Sequence, residues 1–108
     1  MELTRSEIFS AMNDKHLNIK EIDGEIILPV AYHAHEYTGS DGKIHNVLVI
    51  KDGISGVMYR TEVRAFIEKF MSYIESFGDL PDEEKPRIKI ACRISKQNNK
   101  YVNFDLAN

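Results

Sequence analysis

The chain has 108 residues, which is enough for one domain with one hydrophobic core and too few for two ordinary domains. Its 43% hydrophobic and 29% charged residues fit an ordinary globular protein, so intrinsic disorder is not expected. The formal net charge of −3 disfavours an indiscriminate nucleic-acid binder, although the local distribution of charge matters more than the sum.

Targeting and redox signals favour a cytoplasmic protein. No apolar run is long enough to span a membrane, and the opening MELTRSEIFS lacks the basic and then apolar layout of a signal peptide. Cys92 is the single cysteine, so no internal disulfide can form, as expected in a reducing compartment.

The N-terminal region predicts a short helix. Thr4 and Glu7 have the spacing of a capping box, in which each side chain accepts a hydrogen bond from the backbone N–H of the other residue. A helix is therefore expected from about residue 5 to 13, and residues 1–24 are assigned to this helix and a connector. Its short apolar face consists of Ile8, Phe9 and Met12.

A change of pattern at Glu25 predicts the first strand. The segment EIILPVAYHAHEY, residues 25–37, is too rich in β-branched and aromatic side chains for a helix. Pro29 lacks a backbone donor, so the strand should lie at a sheet edge or carry a bulge at that point. The following TGSDGK predicts a hairpin turn into a second strand, residues 43–51.

The length of this turn decides which side chains face each other across the hairpin. A three-residue loop with Gly42 in the left-handed conformation places Tyr37 opposite His45. A two-residue Asp-Gly turn would place Asn46 opposite Tyr37 instead. We favour the first register because it gathers potential cations on one outward face. They are Lys43, His45 and Lys51.

A third strand is expected at about residues 56–60, followed by a helix. Thr61 has the residue type of a helix N-cap, and Gly78 supplies a natural stop. Between them, apolar residues recur every three or four positions, which is the pattern of a helix with one buried face. These residues are Val63, Phe66, Ile67, Phe70, Ile74 and Phe77.

The C-terminal region predicts two further strands. RIKIACRIS, residues 87–95, and YVNFDLA, residues 101–107, alternate between apolar and polar side chains around a KQNNK turn. Cys92 lies on the apolar side of its strand, so we expect a buried small hydrophobe rather than a nucleophile. Three methionines are expected to fill the core: Met12, Met58 and Met71.

These elements predict a mainly β single domain of residues 1–108 that also contains α-helix. After the N-terminal helix, residues 25–108 follow the order β-β-β-α-β-β, which matches the five-stranded OB-fold. That fold is a Greek-key barrel, with its helix here between the third and fourth strands. The alternative is an α+β sandwich in which the helix covers an open sheet.

The segment YHAHEY, residues 32–37, allows three interpretations. His33, His35 and His45 could surround a zinc ion, although no cysteine pair or spaced zinc signature assists them. The same residues could be polar side chains on a solvated strand face. In the third interpretation, the histidines and Tyr37 stack on bases while neighbouring cations contact phosphates. The sequence contains no enzyme motif, and no cofactor or metal is expected.

Positive charge is concentrated near the C-terminus. No acidic residue lies between Lys85 and Lys100. Three cations of this stretch share one face of the predicted strand, opposite the isoleucines: Arg87, Lys89 and Arg93. Tyr101 is expected to lie outward on the next strand, and an aromatic ring beside a cationic row suits a groove that stacks bases and follows phosphates. Solvated lysines are also common on strands, because they discourage aggregation at sheet edges.

The chain from Tyr32 to Leu106 resembles small single-stranded-DNA-binding proteins encoded by bacteriophages of Gram-positive hosts. Four segments carry the resemblance: AYHAHEYTGSDGKIHNVLVIKDG, GVMYRT, VRAFIEKFMSYIESFG and IKIACRISKQNNKYVNFDLA. The ending ISKQNNKYVNFDL, with a basic turn before a final strand, is the most similar. The resemblance implies an OB-fold, oligomeric binding to single-stranded DNA, and a role in phage replication or recombination. The N-terminal helix is not part of the family pattern.

The first functional hypothesis is therefore a non-enzymatic single-stranded-DNA-binding protein of a phage or mobile element. Its expected partners are DNA, replication or recombination proteins and further copies of the chain, with no membrane. The cations assigned to phosphates are Lys43, Lys51, Arg60, Arg93, Lys96 and Lys100. The rings assigned to bases are His35, Tyr37, His45, Tyr59 and Tyr101.

The alternative hypothesis is a protein-interaction module on the same fold. It would bind a host or phage protein through the N-terminal helix and an acidic surface. That surface would comprise the helix glutamates with Asp79, Asp82, Glu83 and Glu84.

Overall fold

The backbone follows the predicted order of elements, with the first strand divided in two. The computed structural model describes residues 3–13, 18–94, 96–97 and 100–107. Its helices and strands are α1 (Arg5–Asn13), β1 (Ile26–Ile27), β2 (Pro29–Thr38), β3 (Ile44–Asp52), β4 (Met58–Thr61), α2 (Arg64–Phe77), β5 (Arg87–Ile94) and β6 (Lys100–Ala107). None of the described helices is long and apolar enough to cross a membrane.

The strands form two antiparallel three-stranded sheets. One sheet has the order β2-β3-β4, and the other has the order β1-β5-β6. Within the described residues, no ladder joins a strand of one sheet to a strand of the other. The mainly β fold with two α-helices is confirmed, whereas the strands do not close into the predicted five-stranded barrel.

The predicted first strand is divided at Leu28, where the chain passes from one sheet to the other. β1 pairs with β5 and β2 pairs with β3, and a register shift lies between Pro29 and Ala31. The irregularity expected from Pro29 therefore falls at this junction. Asp52 stabilises this junction between β1 and β2, because Asp52 Oδ1 accepts a 2.9 Å hydrogen bond from the Leu28 N–H. The Leu28 carbonyl in turn accepts a 2.7 Å bond from the Gly53 N–H.

The main core lies between α2 and the inner faces of both sheets. Phe66 and Phe70 of the predicted apolar stripe are fully buried, and Tyr73 is buried beside them. The Phe70 ring lies 5.7 Å from Tyr32 of β2, and the Phe66 ring lies 4.9 Å from Phe104 of β6. The helical stripe is therefore confirmed, and α2 contacts both sheets through its aromatic rings.

The two ends of α2 differ from the predicted capping. The helix begins at Arg64 with Val63 as N-cap, so the prediction that Thr61 caps it is wrong. Thr61 ends β4 instead, and its hydroxyl accepts a 3.2 Å hydrogen bond from the Val63 N–H. Gly78 follows the last helical residue as predicted, but its φ of −64° is right-handed. Glycine fits there because a Cβ would lie 2.5 Å from the Ile74 carbonyl oxygen.

α1 packs on the outer face of the β2-β3-β4 sheet. Its capping box is confirmed, because the Thr4 N–H donates to Glu7 Oε1 at 3.0 Å and the Glu7 N–H donates to Thr4 Oγ1 at 3.1 Å. An apolar cluster joins the helix to the sheet and comprises Leu3, Ala11, Ala31, Val47 and Val49, with Ile8, Met12 and Met58 packed against it. The face that the strand pattern assigned to solvent is therefore partly covered by this helix.

The far end of β5 extends beyond the core. Ile88 and Ile90 are fully buried, but Cys92 is exposed and Ile94 is 65% exposed. The expectation that Cys92 is buried is wrong, because the alternating pattern of the strand continues past the end of the core. Met71 is also misassigned to the core, since the helical turn points it away from the buried stripe and leaves it 38% exposed.

Candidate nucleic-acid interface

The β2-β3 hairpin has the register predicted from a three-residue loop. Tyr37 lies opposite His45, and the Gly39 N–H donates a 2.9 Å hydrogen bond to the Lys43 carbonyl. Gly42 has a φ of +77°, the left-handed conformation that glycine adopts without a steric penalty. The side chains at positions 33, 35, 37 and 45 therefore share one face of the sheet.

Asp41 orders the loop of this hairpin. Its Oδ1 accepts a 2.9 Å hydrogen bond from the Lys43 N–H and lies 3.3 Å from Nε2 of His45. The bond from the Lys43 backbone and then the contact with the imidazole lower the pKa of the Asp41 carboxyl below its usual value. The carboxylate is thereby placed to hold the His45 ring against the loop.

Four rings stand in a row on this face, and we name them the ring ladder: His33, His35, Tyr37 and His45. The centroids of His33 and His35 are 5.9 Å apart, and those of His35 and Tyr37 are 6.3 Å apart. Tyr37 and His45 lie 5.2 Å apart across the two strands. Consecutive rings are tilted by only 14° to 25°, so the ladder presents nearly parallel π faces.

The ring ladder runs from the partly covered region of the sheet to the exposed hairpin. His33 is half-buried and lies opposite Val49, a residue of the α1 cluster. His35 is exposed, and Tyr37 is 37% exposed. The accessible part of the ladder is therefore its outer end, next to the loop that carries Lys43.

A polar contact fixes the Tyr37 ring. Its hydroxyl donates a 2.7 Å hydrogen bond to Oε1 of Glu62, in the segment between β4 and α2. This bond to a carboxylate raises the pKa of the Tyr37 phenol above its usual value. Arg60, on β4, is half-buried, and its Nε is buried without a hydrogen-bond partner among the described residues. This guanidinium supplies positive charge near the ring.

The zinc interpretation required three imidazoles around one point. His33 and His35 are stacked neighbours, but the register sets His45 opposite Tyr37 rather than opposite either of them. Among the described residues, no group of three His, Cys, Asp or Glu side chains is placed to hold a metal ion. The geometry of this face is that of a stack and not of a tetrahedral cage.

Two residues of this sheet that were assigned to DNA contacts have other contacts within the protein. Tyr59, which was assigned to base stacking, is buried in the main core, because its pairing with Ile50 turns it to the inner face. Lys51 lies on the outer face as predicted, but its Nζ forms a 2.8 Å ion pair with Oε2 of Glu7 from α1. The ammonium group therefore links the helix to the sheet, and its availability to phosphate depends on that contact.

The other predicted cations lie on the second sheet. Arg93 and Tyr101 face each other across β5 and β6, as expected for neighbouring outward residues. Arg93 Nη2 also contacts Asp105 Oδ2 at 2.5 Å, which offsets part of its charge. Lys96 is exposed, and Lys100 begins β6 with a side chain outside the described part of the chain. The cationic row and the ring ladder therefore lie on different sheets.

Sequence reasoning missed three contributors to this site. His33 was not among the rings assigned to bases, although its spacing places it on one face with positions 35 and 37. Asp41 was treated only as a turn residue. Glu62 carries no local signal, because its contact with Tyr37 joins residues 25 positions apart in the sequence.

Comparison of the chain with family models, curated proteins and solved structures gives no match. The chemistry of the site is therefore inferred from its own side chains. The ring ladder offers flat π surfaces, Lys43 and Arg60 supply nearby positive charge, and Asp41 and Glu62 hold individual rings in place. Such a surface is suited to stacking on planar groups that carry negative charge.

Proposed function

We propose that this protein is a non-enzymatic single-stranded-DNA-binding protein and that bases stack on its ring ladder. The single observation that carries the proposal is the row of four rings with 14° to 25° between consecutive planes. Unpaired bases expose their π faces, and base–aromatic stacking tolerates any base sequence. Duplex DNA offers no such faces, because its bases are already stacked on one another.

The sheet arrangement supports an OB-fold relationship. If β1 and β2 are counted as one strand bent at Leu28, the molecule has five strands with α2 between the third and fourth. OB-folds are partly open Greek-key barrels that bind oligonucleotides on their strands and on the loops between strands one and two and between strands four and five. In this correspondence the ring ladder lies on the first two strands, and the loop of Lys43 is the first of those loops.

Phosphate contacts complete the proposed interface. Lys43 lies next to the exposed end of the ring ladder, and exposed Arg87 and Lys89 with Arg93 form a cationic row on the second sheet. A strand that stacks on the ladder and continues across the second sheet would place its phosphates near this row. The resemblance to phage proteins further supports a role in replication or recombination of a phage or mobile element, in the cytoplasm.

The test is a titration of a fluorescent thymidine oligonucleotide of about 16 nucleotides, the upper end of the site size of an OB-fold. We expect measurable affinity at about 50 mM salt that falls steeply towards 200 mM, because each neutralised phosphate of a single strand releases roughly 0.7 of a counterion. A duplex of the same length serves as the control and should bind more weakly. Affinity that is absent at low salt, or unaffected by salt, would overturn the proposal.

A second candidate function is a protein-interaction module, which an exposed aromatic residue of α1, Phe9, favours. Phe9 is 71% exposed on the helix that covers the sheet, although it was predicted to belong to the helix's apolar face. The acidic residues after α2, from Asp79 to Glu84, are also exposed. Substitution of Phe9 by serine separates the two candidates, since it should leave affinity for the oligonucleotide unchanged while removing a contact to a protein partner.

A further inference from the structure

A groove separates the outer end of the β2-β3 hairpin from the start of α2. Its volume is about 770 Å³. Three carboxylates and one guanidinium line it, namely Glu36, Glu62 and Glu68 with Arg64. Ile44 also lines the groove and is 65% exposed. The groove thus combines a net negative charge with an apolar side chain that is largely exposed to solvent.

The far end of the β5-β6 hairpin carries positive charge and an exposed apolar side chain, which complement the groove. We name Arg93, Ile94 and Lys96 the ribbon end. All three side chains are exposed, and Ile94, like Ile44, is 65% exposed. Because the ribbon extends past the core, described residues on both of its faces are exposed there, Cys92 and Ile94 on one face and Arg93 on the other.

We propose that the ribbon end of one copy of this chain docks into the groove of a second copy. Charge complementarity selects this occupant. Lys96 would meet Glu36, and Arg93, which contacts Asp105 in its own copy, would lie near Glu68, which contacts Arg64. Contact between Ile94 and Ile44 would bury two large apolar side chains that each copy leaves in water, which is favourable. The groove and the ribbon end are different surfaces of one molecule, so the contact is head-to-tail, and a pair of copies still offers one free groove and one free ribbon end to further copies.

The proposal does not require DNA, and its test is therefore made without DNA. The mass of the native protein is measured by sedimentation velocity or light scattering over a range of concentrations. We expect the mass to rise above the 12.4 kDa of a single chain as concentration increases, and to return towards that value at high salt. A single-chain mass at all concentrations would overturn the proposal.

Charge exchange tests the two surfaces individually. The groove variant carries Glu36→Lys and Glu68→Lys, and the ribbon variant carries Arg93→Glu and Lys96→Glu. Glu62 is left intact because it bonds to Tyr37 of the proposed DNA interface. Each variant alone should stay at the single-chain mass, whereas an equal mixture should recover the association, because each variant retains the half that the other has lost.

A matched control keeps the net charge of the groove variant while sparing the groove. Glu75→Lys and Glu83→Lys change two exposed acids outside it, and this protein should associate as the native chain does. Three results would overturn the proposal. They are a mixture that does not associate, either variant associating alone, and a control that does not associate. Circular dichroism confirms that all the variants are folded.

Discussion

The rings of Tyr37 and His45 lie 5.2 Å apart with 21° between their planes, and they join β2 to β3 as a cross-strand pair. Such pairs stabilise a hairpin through ring contact as well as through burial. Here the pair forms the exposed end of the ring ladder. It is therefore the place where a base could extend the stack without any rearrangement of the fold.

Replacement of Tyr37 separates the ring from its hydroxyl. Tyr37→Ala should weaken affinity for a thymidine oligonucleotide by roughly 5- to 150-fold, the contribution of one base–aromatic stack. Tyr37→Phe keeps the ring and loses only the bond to Glu62, so its affinity should stay within a few-fold of the native value. Fluorescence titration at fixed salt measures both. If the phenylalanine variant falls as far as the alanine variant, the hydroxyl and not the stack is responsible.

Removal of the Phe70 ring should destabilise the whole domain. Phe70 is fully buried and contacts rings of both sheets, so Phe70→Ala should lower the free energy of unfolding by about 3–5 kcal/mol. That is a large part of the roughly 5–15 kcal/mol typical of a domain. Urea unfolding followed by circular dichroism measures the change.

The neighbouring Met71 provides the control for this measurement. Met71→Ala removes an exposed side chain from the same helix and should change the free energy by no more than about 0.5 kcal/mol. Equal losses in both variants would mean that the core contact of Phe70 does not determine the result, because alanine is a better helix former than either native residue.

Features governed by local rules were predictable from the sequence. The capping box of Thr4 and Glu7 depends on residues three positions apart. The pairing of Tyr37 with His45 follows from the loop length and from the glycine at position 42. The buried stripe of α2 follows from helical periodicity. In each case the interacting residues are neighbours in the sequence, so the pattern alone contains the information.

Features governed by distant packing were not predictable. Tyr59 faces inward because β4 pairs with β3 in a register that no short turn of fixed type determines. Lys51 bonds to Glu7, which lies 44 residues away. The same limit applies to barrel closure, because the order of the strands along the sequence does not determine whether the edge strands β4 and β6 pair.

The stacked arrangement of the histidines predicts indifference to metal. His33 and His35 stack as neighbours while His45 pairs with Tyr37, so the three rings do not enclose a common point. Excess zinc or a chelator should therefore leave the melting temperature within about 1 °C, whereas metal binding to a folded site would add directly to stability. Differential scanning calorimetry checks this. A rise of many degrees with zinc that is lost in His35→Ala would restore the zinc interpretation.

Asp52 should link the stability of the fold to pH. Its carboxylate is buried at the junction of the two sheets and accepts hydrogen bonds from the N–H groups of Leu28 and Ile54 and from Ser55. Burial alone would raise its pKa, but these hydrogen bonds outweigh it and lower the pKa below the usual value. Asp52→Asn loses the charge and part of the acceptor capacity, so it should cost about 1–3 kcal/mol of unfolding free energy at pH 7.

The sign of the pH dependence follows from the lowered pKa. The unfolded chain binds a proton to Asp52 at a higher pH than the folded chain does, so stability rises with pH across this interval. The contribution is complete above the unfolded pKa of about 3.9 and is lost as pH falls through the lower folded value. The native protein should therefore exceed Asp52→Asn in unfolding free energy by less at pH 3 than at pH 7. Urea unfolding at a series of pH values measures this difference. The matched control is Asp79→Asn, which changes an exposed acid and should leave the unfolding free energy at pH 7 nearly unchanged. A difference between the native protein and Asp52→Asn that stays constant with pH would show that the charge of Asp52 does not stabilise the junction.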